Sequence, residues 1–280
     1  MIATPHVKLN FGLHVLRRRE DGYHDLETLF VPFAGLHDTL EIIAGDDYSR
    51  TSAHLQEAYS PAQREQAISP DGKLMMTLAR KEGIGWDPLD DLTARAYRLL
   101  DTDFGLPPMK VFLEKTAPVG AGLGGGSSDA AAALRLIDAL AGLGLTDEAL
   151  AGYAARLGSD CACFLYDRPM FGTGRGEVLE PFELPSLDRL RIEVVVPEGI
   201  SVSTADAYRG IVPHLPAKPL RDVLAQEPAT WRDDLHNDFE TTVFAKYPEL
   251  GRIKESIYRQ GALYAAMSGS GSALFGLFRA

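Results

Sequence analysis

A glycine-rich run that leads into an alanine-rich helix is the feature that most constrains this chain. Residues 120–126 contain five glycines, and two serines and a helical pattern ending near Gly142 follow. Such a backbone adopts positive φ angles and approaches a ligand closely. The helix start offers unpaired N–H groups and the positive end of the helix dipole. An alanine-rich helix directly after the run argues against a flexible linker, so the pattern predicts a phosphate site.

Two familiar phosphate motifs do not fit this run. The P-loop needs a lysine before the hydroxyl residue, whereas Gly126 is followed directly by Ser127. Residues 120–125 match GxGxxG formally, but a second helical pattern at 147–157 follows where a Rossmann unit has a strand. The sequence therefore favours neither a P-loop NTPase nor a Rossmann NAD oxidoreductase.

The net charge of the chain limits its partners. With 28 basic and 39 acidic residues the formal charge is −11, which provides no electrostatic footprint for nucleic acid or an anionic membrane. A phosphate site must then be local and built from backbone N–H groups.

The cysteines and the lengths of the apolar runs indicate the cellular compartment of the protein. Cys161 and Cys163 are spaced i, i+2, a poor geometry for a mutual disulfide, and they lack the spacing of a zinc site, so we expect small core residues. The N-terminus has no signal-peptide pattern and no stretch reaches the length of a spanning helix. We expect a cytoplasmic protein with no membrane partner.

The remaining pattern predicts an α+β protein. At 280 residues the chain is long enough for two domains. A helix is predicted from Asp91, which can serve as its N-cap, and residues 45–91 are weakly periodic apart from an apolar patch at 74–78. Strands are predicted at 7–16, 26–33, 39–43, 109–114, 161–166, 189–196 and 273–278.

Three widely separated segments resemble the motifs of the GHMP kinase superfamily. They are PHVKLNFGLHV near the N-terminus, the loop that begins at Pro118, and MSGSGSALFGLF from Met267, a glycine turn expected close to that loop. The resemblance implies a two-domain GHMP kinase fold, with a β-rich/α ATP-binding domain at 1–168 and an α+β substrate domain at 169–280.

The resemblance also implies roles for individual residues. Asp160 would take the proton of an alcohol, and Lys8 would keep that carboxylate ionised. Taken alone, the two residues read as a turn acid and a strand-edge lysine. Magnesium would accompany ATP, with ligands that the sequence does not mark. The implied ATP-binding residues are Pro118, Gly120, Gly122, Leu123, Gly124, Gly125, Gly126, Ser127 and Ser128.

Within the superfamily, the DGYH element at 21–24 resembles members that phosphorylate a cytidine-diphosphate-linked polyol in the non-mevalonate route to isoprenoids. GxGE at 174–177 and NDFE at 237–240 add to this resemblance. It implies substrate-binding residues of three kinds: Tyr23 and Tyr208 as faces that sandwich the base, His24 at the base edge, and Asn10 and Thr204 as polar contacts.

Alternatives stay open at this point. Tyr23 also suits a turn, and Tyr208 also suits core packing. A GHMP kinase for homoserine or mevalonate would keep the loop but would not bind a cytidine nucleotide, and a non-catalytic module would bind ATP without needing Asp160. The sequence does not indicate the oligomeric state.

Overall fold

The structure, a computed structural model, describes residues 1–45 and 49–280. These residues form two compact units that interleave along the chain. The first unit comprises residues 1–7, 33–117 and 124–165, and the second comprises residues 8–32, 118–123 and 166–280. The continuous domains expected at 1–168 and 169–280 therefore differ from these units, because residues 8–32 group with the C-terminal part of the chain.

Strands and helices occur throughout the described residues. The strands are β1 (Ile2–Ala3), β2 (His6–Arg18), β3 (His24–His37), β4 (Thr39–Ala44), β5 (Arg64–Ile68), β6 (Leu74–Arg80), β7 (Met109–Lys115), β8 (Met170–Thr173), β9 (Val178–Pro181), β10 (Leu190–Val195), β11 (Tyr264–Met267) and β12 (Leu274–Arg279). The α-helices are α1 (Thr51–Ala58), α2 (Leu92–Phe104), α3 (Gly125–Ala141), α4 (Asp147–Leu157), α5 (Thr204–Tyr208), α6 (Leu220–Leu224), α7 (Phe239–Lys246) and α8 (Pro248–Arg259). Among the described residues, no helix is both long and apolar enough to cross a bilayer.

The first unit is built on a five-stranded sheet in the order β1-β4-β7-β6-β5. Strands β6 and β7 pair in parallel, and the other neighbours pair antiparallel. Helices α2, α3 and α4 pack on one another, and α2 and α3 also contact the sheet. This packing holds the start of α3 at a fixed place in the unit.

Helix α1 packs against the same sheet through Leu55 and Tyr59, which join a buried cluster with Ile43, Ala79 and Phe112. Its N-terminus is held by the buried carboxylate of Glu41 on β4. That carboxylate accepts hydrogen bonds from the N–H groups of residues 50 and 51 at 3.0 and 2.7 Å and from the hydroxyl of residue 49 at 2.8 Å. Unpaired N–H groups at a helix start thus find a partner on the sheet.

Helix boundaries in the first unit follow the sequence signals. The carboxylate of Asp91 accepts from the Thr93 N–H at 2.9 Å, as expected for the N-cap of α2. Gly105 and Gly142 take left-handed conformations after α2 and α3, which is a common helix ending. Helix α4 follows α3 with no strand between them, which confirms that the Rossmann context is missing.

The second unit contains two sheets, ordered β2-β3-β8-β9 and β10-β12-β11. Strand β12 pairs antiparallel with both of its neighbours. A buried cluster joins Leu13 and Val15 of β2 to α5, α7 and α8 and to strands β11 and β12. Phe11 of β2 also stacks on Phe275 of β12, with ring centroids 5.0 Å apart. Strand β2 is therefore fixed by the core of this unit.

The strand predicted at 161–166 is wrong, because Cys161–Leu165 forms a 3-10 helix. The Cys161 N–H donates to the Gly158 carbonyl at 3.1 Å, so the chain turns here instead of extending. A short apolar run is compatible with a buried strand or a buried turn, and its packing on α3 selects the turn. Both cysteines are buried and form no disulfide with each other.

Candidate active site

The glycine loop is held by its carbonyl oxygens. The carbonyl of Ala121 accepts from the Ala273 N–H at 3.1 Å, and the carbonyl of Leu123 accepts from the Lys8 N–H at 3.0 Å. The Gly122 carbonyl between them accepts from the Lys8 ammonium at 3.1 Å and from the Ser268 hydroxyl at 3.2 Å. Three consecutive carbonyls are thus tied to other segments of the second unit, and the loop has a defined shape before any ligand arrives.

Gly122 cannot be replaced without moving its neighbours. Its φ is +77°, and a Cβ there would lie 2.2 Å from the Ser268 carbonyl oxygen and 2.8 Å from the Gly271 nitrogen. The glycine turn near Met267 therefore packs directly on the glycine loop, as the resemblance predicted. The absence of a side chain at Gly122 is what allows this close approach.

The start of α3 exposes backbone donors. Gly124, in the left-handed conformation, occupies the N-cap position and provides no side-chain cap. The first N–H groups of a helix have no intrahelical acceptor, and here no capping side chain satisfies them. Ser127 is half-buried and Ser128 is buried in the first turns of α3. This helix start can bind an anionic group through N–H donors and the helix dipole.

Asp160 lies in the turn that precedes the 3-10 helix. The next residue, Cys161, lies beside the Ser127 side chain, and the 3-10 helix that it begins packs on α3. Burial raises the pKa of the Cys161 thiol to about 12, an effect that Ser127 opposes and the charge of Asp160 adds to. The Cys163 thiol donates to the Asp160 carbonyl at 3.1 Å. Within the first unit, Asp160 is therefore positioned next to the predicted phosphate site.

Lys8 is buried in the second unit among polar partners. Its ammonium donates to the Asn10 side-chain oxygen at 2.6 Å and lies 5.5 Å from the Phe30 ring centroid. The Asn10 amide donates in turn to the Thr28 hydroxyl at 3.0 Å, and the Asn10 N–H donates to the Ser268 hydroxyl at 3.3 Å. Lys8 and Asn10 are thus locked to both glycine segments.

A buried ionic cluster beneath the start of α3 was missed by sequence reasoning. The Lys115 ammonium donates to Asp38 and, at 2.5 Å, to Asp129 of α3. Asp38 also accepts from the N–H groups of Thr116 and Ala117 at 2.6 and 2.7 Å, whereas one oxygen of Asp129 is buried without a partner. Burial raises the pKa of Asp129 well above its ordinary value, against the lowering effect of Lys115. The cluster fixes the first turns of α3 to the sheet.

The aromatic residues expected to hold a base lie in the second unit. Tyr208 stacks on His24, with centroids 4.8 Å apart and planes 17° apart, and meets Phe239 edge-on. Tyr23 is 55% exposed, and the Arg175 guanidinium lies 4.9 Å from its ring centroid. The ring that faces Tyr208 in this structure is therefore His24, not Tyr23.

Thr204 begins α5, and its hydroxyl lies 3.3 Å from the Ser270 hydroxyl in the second glycine segment. Ser268, two residues earlier, contacts both Asn10 and Gly122. The segment from Met267 thus contacts residues from both other motifs of the second unit. Ser268 was missed as a site residue, although its position directly before Gly269 in this glycine-rich motif was a usable signal.

The sequence patterns of two domain families match this chain. The pattern of the GHMP kinases N terminal domain matches residues 91–168, and that of the GHMP kinases C terminal domain matches residues 220–280. These matches include α2, α3, the glycine loop and the final strands β11 and β12.

Full-length relatives carry a more specific name. A protein of Bacteroides fragilis named 4-diphosphocytidyl-2-C-methyl-D-erythritol kinase is 41% identical over 278 residues, which cover 99% of this chain and 92% of the relative. A protein of Nitratidesulfovibrio vulgaris with the same name is 36% identical over 97% of this chain and 88% of its own length.

Solved structures agree with these relatives. A crystal structure of 4-(cytidine 5'-diphospho)-2C-methyl-D-erythritol kinase is 33% identical, with a TM-score of 0.73 over 99% of this chain and 90% of that chain. The mevalonate kinase of Methanococcus jannaschii gives a TM-score of 0.62 at 14% identity over 100% of this chain and 90% of that chain, which shows a shared fold alone.

Proposed function

Because this chain belongs to the GHMP kinases, and within them to the 4-diphosphocytidyl-2-C-methyl-D-erythritol kinases, we infer that it transfers the γ-phosphoryl group of ATP to the 2-hydroxyl of that polyol. The reaction belongs to the non-mevalonate route to isoprenoid precursors. One observation carries the proposal. The carbonyl groups of residues 121–123 are hydrogen-bonded to other segments, and this loop leads directly into the start of α3, where no side chain caps the helix.

The loop and α3 hold the nucleotide in this proposal. Residues 118–128 wrap the phosphates, and the N–H groups at the start of α3 stabilise their negative charge. Mg²⁺ would neutralise charge on the phosphate oxygens when bound. It generally keeps several waters and binds through substrate phosphates, so the Ser127 hydroxyl is a fitting protein ligand without a carboxylate cage.

The chain's own residues then move one proton and position one oxygen. Asp160 accepts the proton of the 2-hydroxyl, the alkoxide oxygen forms a bond to the γ-phosphorus, and the bond to the β-γ bridging oxygen breaks to release ADP. Lys8, whose ammonium is held by Asn10, supplies a fixed positive charge. Alignment of the hydroxyl with the γ-phosphate supplies much of the rate.

The cytidine end would be held by the aromatic residues of the second unit. Tyr208 and Tyr23 offer ring faces to the base, and His24 offers a ring nitrogen to its edge. Because His24 now stacks on Tyr208, the base must separate these two rings to occupy the Tyr208 face. Asn10 and Thr204 would contact the polyol.

We propose a cytoplasmic enzyme, because the two cysteines are buried and form no disulfide with each other, as is usual in a reducing compartment.

An assay of ADP release across a panel of alcohols tests this function. The panel contains the cytidine-diphosphate-linked methylerythritol, homoserine, mevalonate and a blank without alcohol. We expect turnover with the first compound alone, and phosphorus NMR of the product should place the new phosphate on the 2-hydroxyl. Turnover only with homoserine or mevalonate would contradict the substrate, and ATP binding without turnover on any alcohol would indicate a non-catalytic module.

A further inference from the structure

Three side chains with metal-binding chemistry meet in the second unit, outside the residues assigned to phosphoryl transfer. They are His14 of β2, His214 in the segment before α6, and Asp238 just before α7. The Nδ1 or Nε2 atoms of the histidines and a carboxylate oxygen of Asp238 all lie within 4.8 Å of one another. Imidazole and carboxylate together are a donor set suited to zinc and its neighbours in the first transition series.

Main-chain hydrogen bonds to β2 hold all three segments in place. The Leu13 N–H donates to the His236 carbonyl at 2.9 Å, and the Asp238 N–H donates to the Leu13 carbonyl at 2.9 Å. The His214 N–H donates to the Val15 carbonyl at 3.1 Å. Strand β2 carries His14, and the segments that carry His214 and Asp238 are hydrogen-bonded to it. The three donors are therefore held in place before a metal binds, as a preorganised metal site requires.

A second contact orients the carboxylate itself. One oxygen of Asp238 accepts from the Val15 N–H at 2.8 Å, and the other lies 3.2 Å from the Nδ1 atom of His14. A hydrogen bond from the main chain to a ligating carboxylate is the kind of support that metal ligands ordinarily receive. The Asp238 side chain is 10% exposed and the His14 side chain 4% exposed, so this half of the cluster is shielded from water.

The two separations between a histidine nitrogen and an Asp238 oxygen are close to the spacing of ligand atoms around a tetrahedral ion. Bonds of 2.0–2.2 Å from zinc to nitrogen and oxygen place neighbouring ligand atoms about 3.4 Å apart. The His14 Nδ1 atom lies 3.2 Å from one Asp238 oxygen, and the His214 Nδ1 atom lies 3.8 Å from the other. The second distance is too long for a hydrogen bond between the His214 ring and this carboxylate, so the main-chain bond to Val15 places His214 and leaves its ring close to Asp238.

We propose that His14, His214 and Asp238 bind one divalent ion of the zinc class. Two neutral imidazoles and one carboxylate supply three ligands, and water completes the coordination. The His214 side chain is 55% exposed, which gives the ion an entry path. Mg²⁺ and Ca²⁺ prefer all-oxygen ligands, so the site selects against the ion that accompanies ATP. This ion would fasten the segment around His214 to β2 and takes no part in phosphoryl transfer.

Titration of the full-length protein with Zn²⁺ tests the proposal after the protein has been stripped with a chelator. We expect calorimetry to give one tight site per chain, and Co²⁺ to give the visible absorption of a tetrahedral complex. His214→Ala should lower Zn²⁺ affinity at least about tenfold, because even the loss of an outer-shell partner costs 10- to 100-fold. Asp238→Asn, which keeps an oxygen for the Val15 N–H, should also weaken binding.

His54→Ala is the matched control. The exposed fraction of the His54 side chain is 56%, similar to that of His214, and His54 also lies 3.2 Å from one carboxylate, that of Glu114. Among the described residues, however, His54 belongs to no cluster of three possible metal ligands. This variant should bind Zn²⁺ like the parent protein. Circular dichroism of each metal-free variant checks that it folds. Absence of stoichiometric Zn²⁺ binding to the parent, or equal affinity in the parent and in folded His214→Ala, would overturn the proposal.

Discussion

The Lys8 ammonium donates a hydrogen bond to the carbonyl oxygen of Gly122, 3.1 Å away. The contact joins a strand residue near the N-terminus to the middle of the glycine loop, and Ser268 donates to the same oxygen at 3.2 Å. Three segments far apart in sequence therefore meet at one carbonyl group. The shape of the loop depends on all three segments, so single substitutions in any of them should change how the loop binds its ligand.

Asp160→Asn should lower kcat by about 10²- to 10⁴-fold, the usual contribution of a general base, because an amide cannot accept the hydroxyl proton. The thermal midpoint should stay close to that of the parent protein. Glu148→Gln removes an exposed carboxylate from α4 in the same way and should leave kcat unchanged. Steady-state kinetics with saturating ATP measures both variants, and unchanged turnover in Asp160→Asn would remove that residue from catalysis.

Lys8→Met should reduce kcat by about 100-fold or more through the loss of a preorganised positive charge. The Gly122 carbonyl keeps its hydrogen bond from Ser268, and the main chain at position 8 still holds Leu123. We therefore expect the KM for ATP to change much less than kcat. A large rise in KM with normal kcat would instead assign Lys8 to holding the loop.

Gly122→Ala should raise the KM for ATP and lower the thermal midpoint, since its Cβ would lie 2.2 Å from the Ser268 carbonyl oxygen and its φ of +77° disfavours a side chain. Gly152→Ala is the same substitution at an exposed position of α4 with open space around it. It should stabilise the protein by about 0.5–1 kcal/mol with kinetics unchanged. Identical behaviour of the two variants would argue against the close packing of the loop.

Glu41→Gln tests the support of α1 from the sheet. Burial opposes ionisation of Glu41, but hydrogen bonds from the main chain of residues 50 and 51 and from Ser49 together outweigh it and hold its pKa below the ordinary value. The ionised carboxylate therefore stabilises the fold above the unfolded pKa of about 4.3, and this stability is lost as pH falls through the lower folded pKa.

The Glu41→Gln variant should cost about 1–3 kcal/mol at pH 7, because a buried N–H loses its acceptor. The difference in free energy of unfolding between parent and variant should shrink as the pH falls below about 4. Urea denaturation at several pH values measures it, and a difference that does not change with pH would contradict the role of the charge.

In the buried cluster of Lys115, Asp38 and Asp129, loss of the lysine should destabilise the protein more than loss of the Asp129 carboxylate. Lys115→Met removes the cation that Asp38 and Asp129 share and should cost about 3–5 kcal/mol. Asp129→Asn should cost less than about 2 kcal/mol, because one Asp129 oxygen has no partner and the Lys115–Asp38 pair survives.

The pH dependence of Asp129→Asn has the opposite sign from that of Glu41→Gln. Burial raises the folded pKa of Asp129, so the native state keeps this proton after the unfolded chain has released it. The resulting stability is complete below about pH 3.9 and declines as pH rises through the folded pKa. Asparagine cannot ionise, so the free energy of unfolding of Asp129→Asn should increase relative to that of the parent protein as the pH rises. Chemical denaturation of both proteins across this range checks the sign.

Local signals predicted much of the first unit. The N-cap at Asp91, the stop at Gly142 and the helix at 147–157 all follow from residues close in sequence. Residues 45–91 were not readable, because α1 is held by Glu41 on a neighbouring strand and β5 is mostly exposed. The turn after Asp160 was missed because packing on α3, not local preference, selects it.

The site could be predicted only in part. Its motifs are continuous in the sequence, whereas the contacts that hold them in place join residues far apart in the chain. The glycine loop and Lys8 are visible in the sequence, and the structure joins them. Asp38 lies 77 residues from Lys115, so no local pattern links the two. The stacking of His24 on Tyr208 also depends on the folding of two distant segments, so no local pattern predicts it.

The hydrogen bonds that tie down the loop span 114 and 146 positions of the chain. A nascent chain on the ribosome that has already released the loop and α3 still lacks Ser268 and Ala273. The loop lacks these contacts until residues 268–273 have been synthesised, so we expect ATP to be held only after the segment from Met267 has reached the loop.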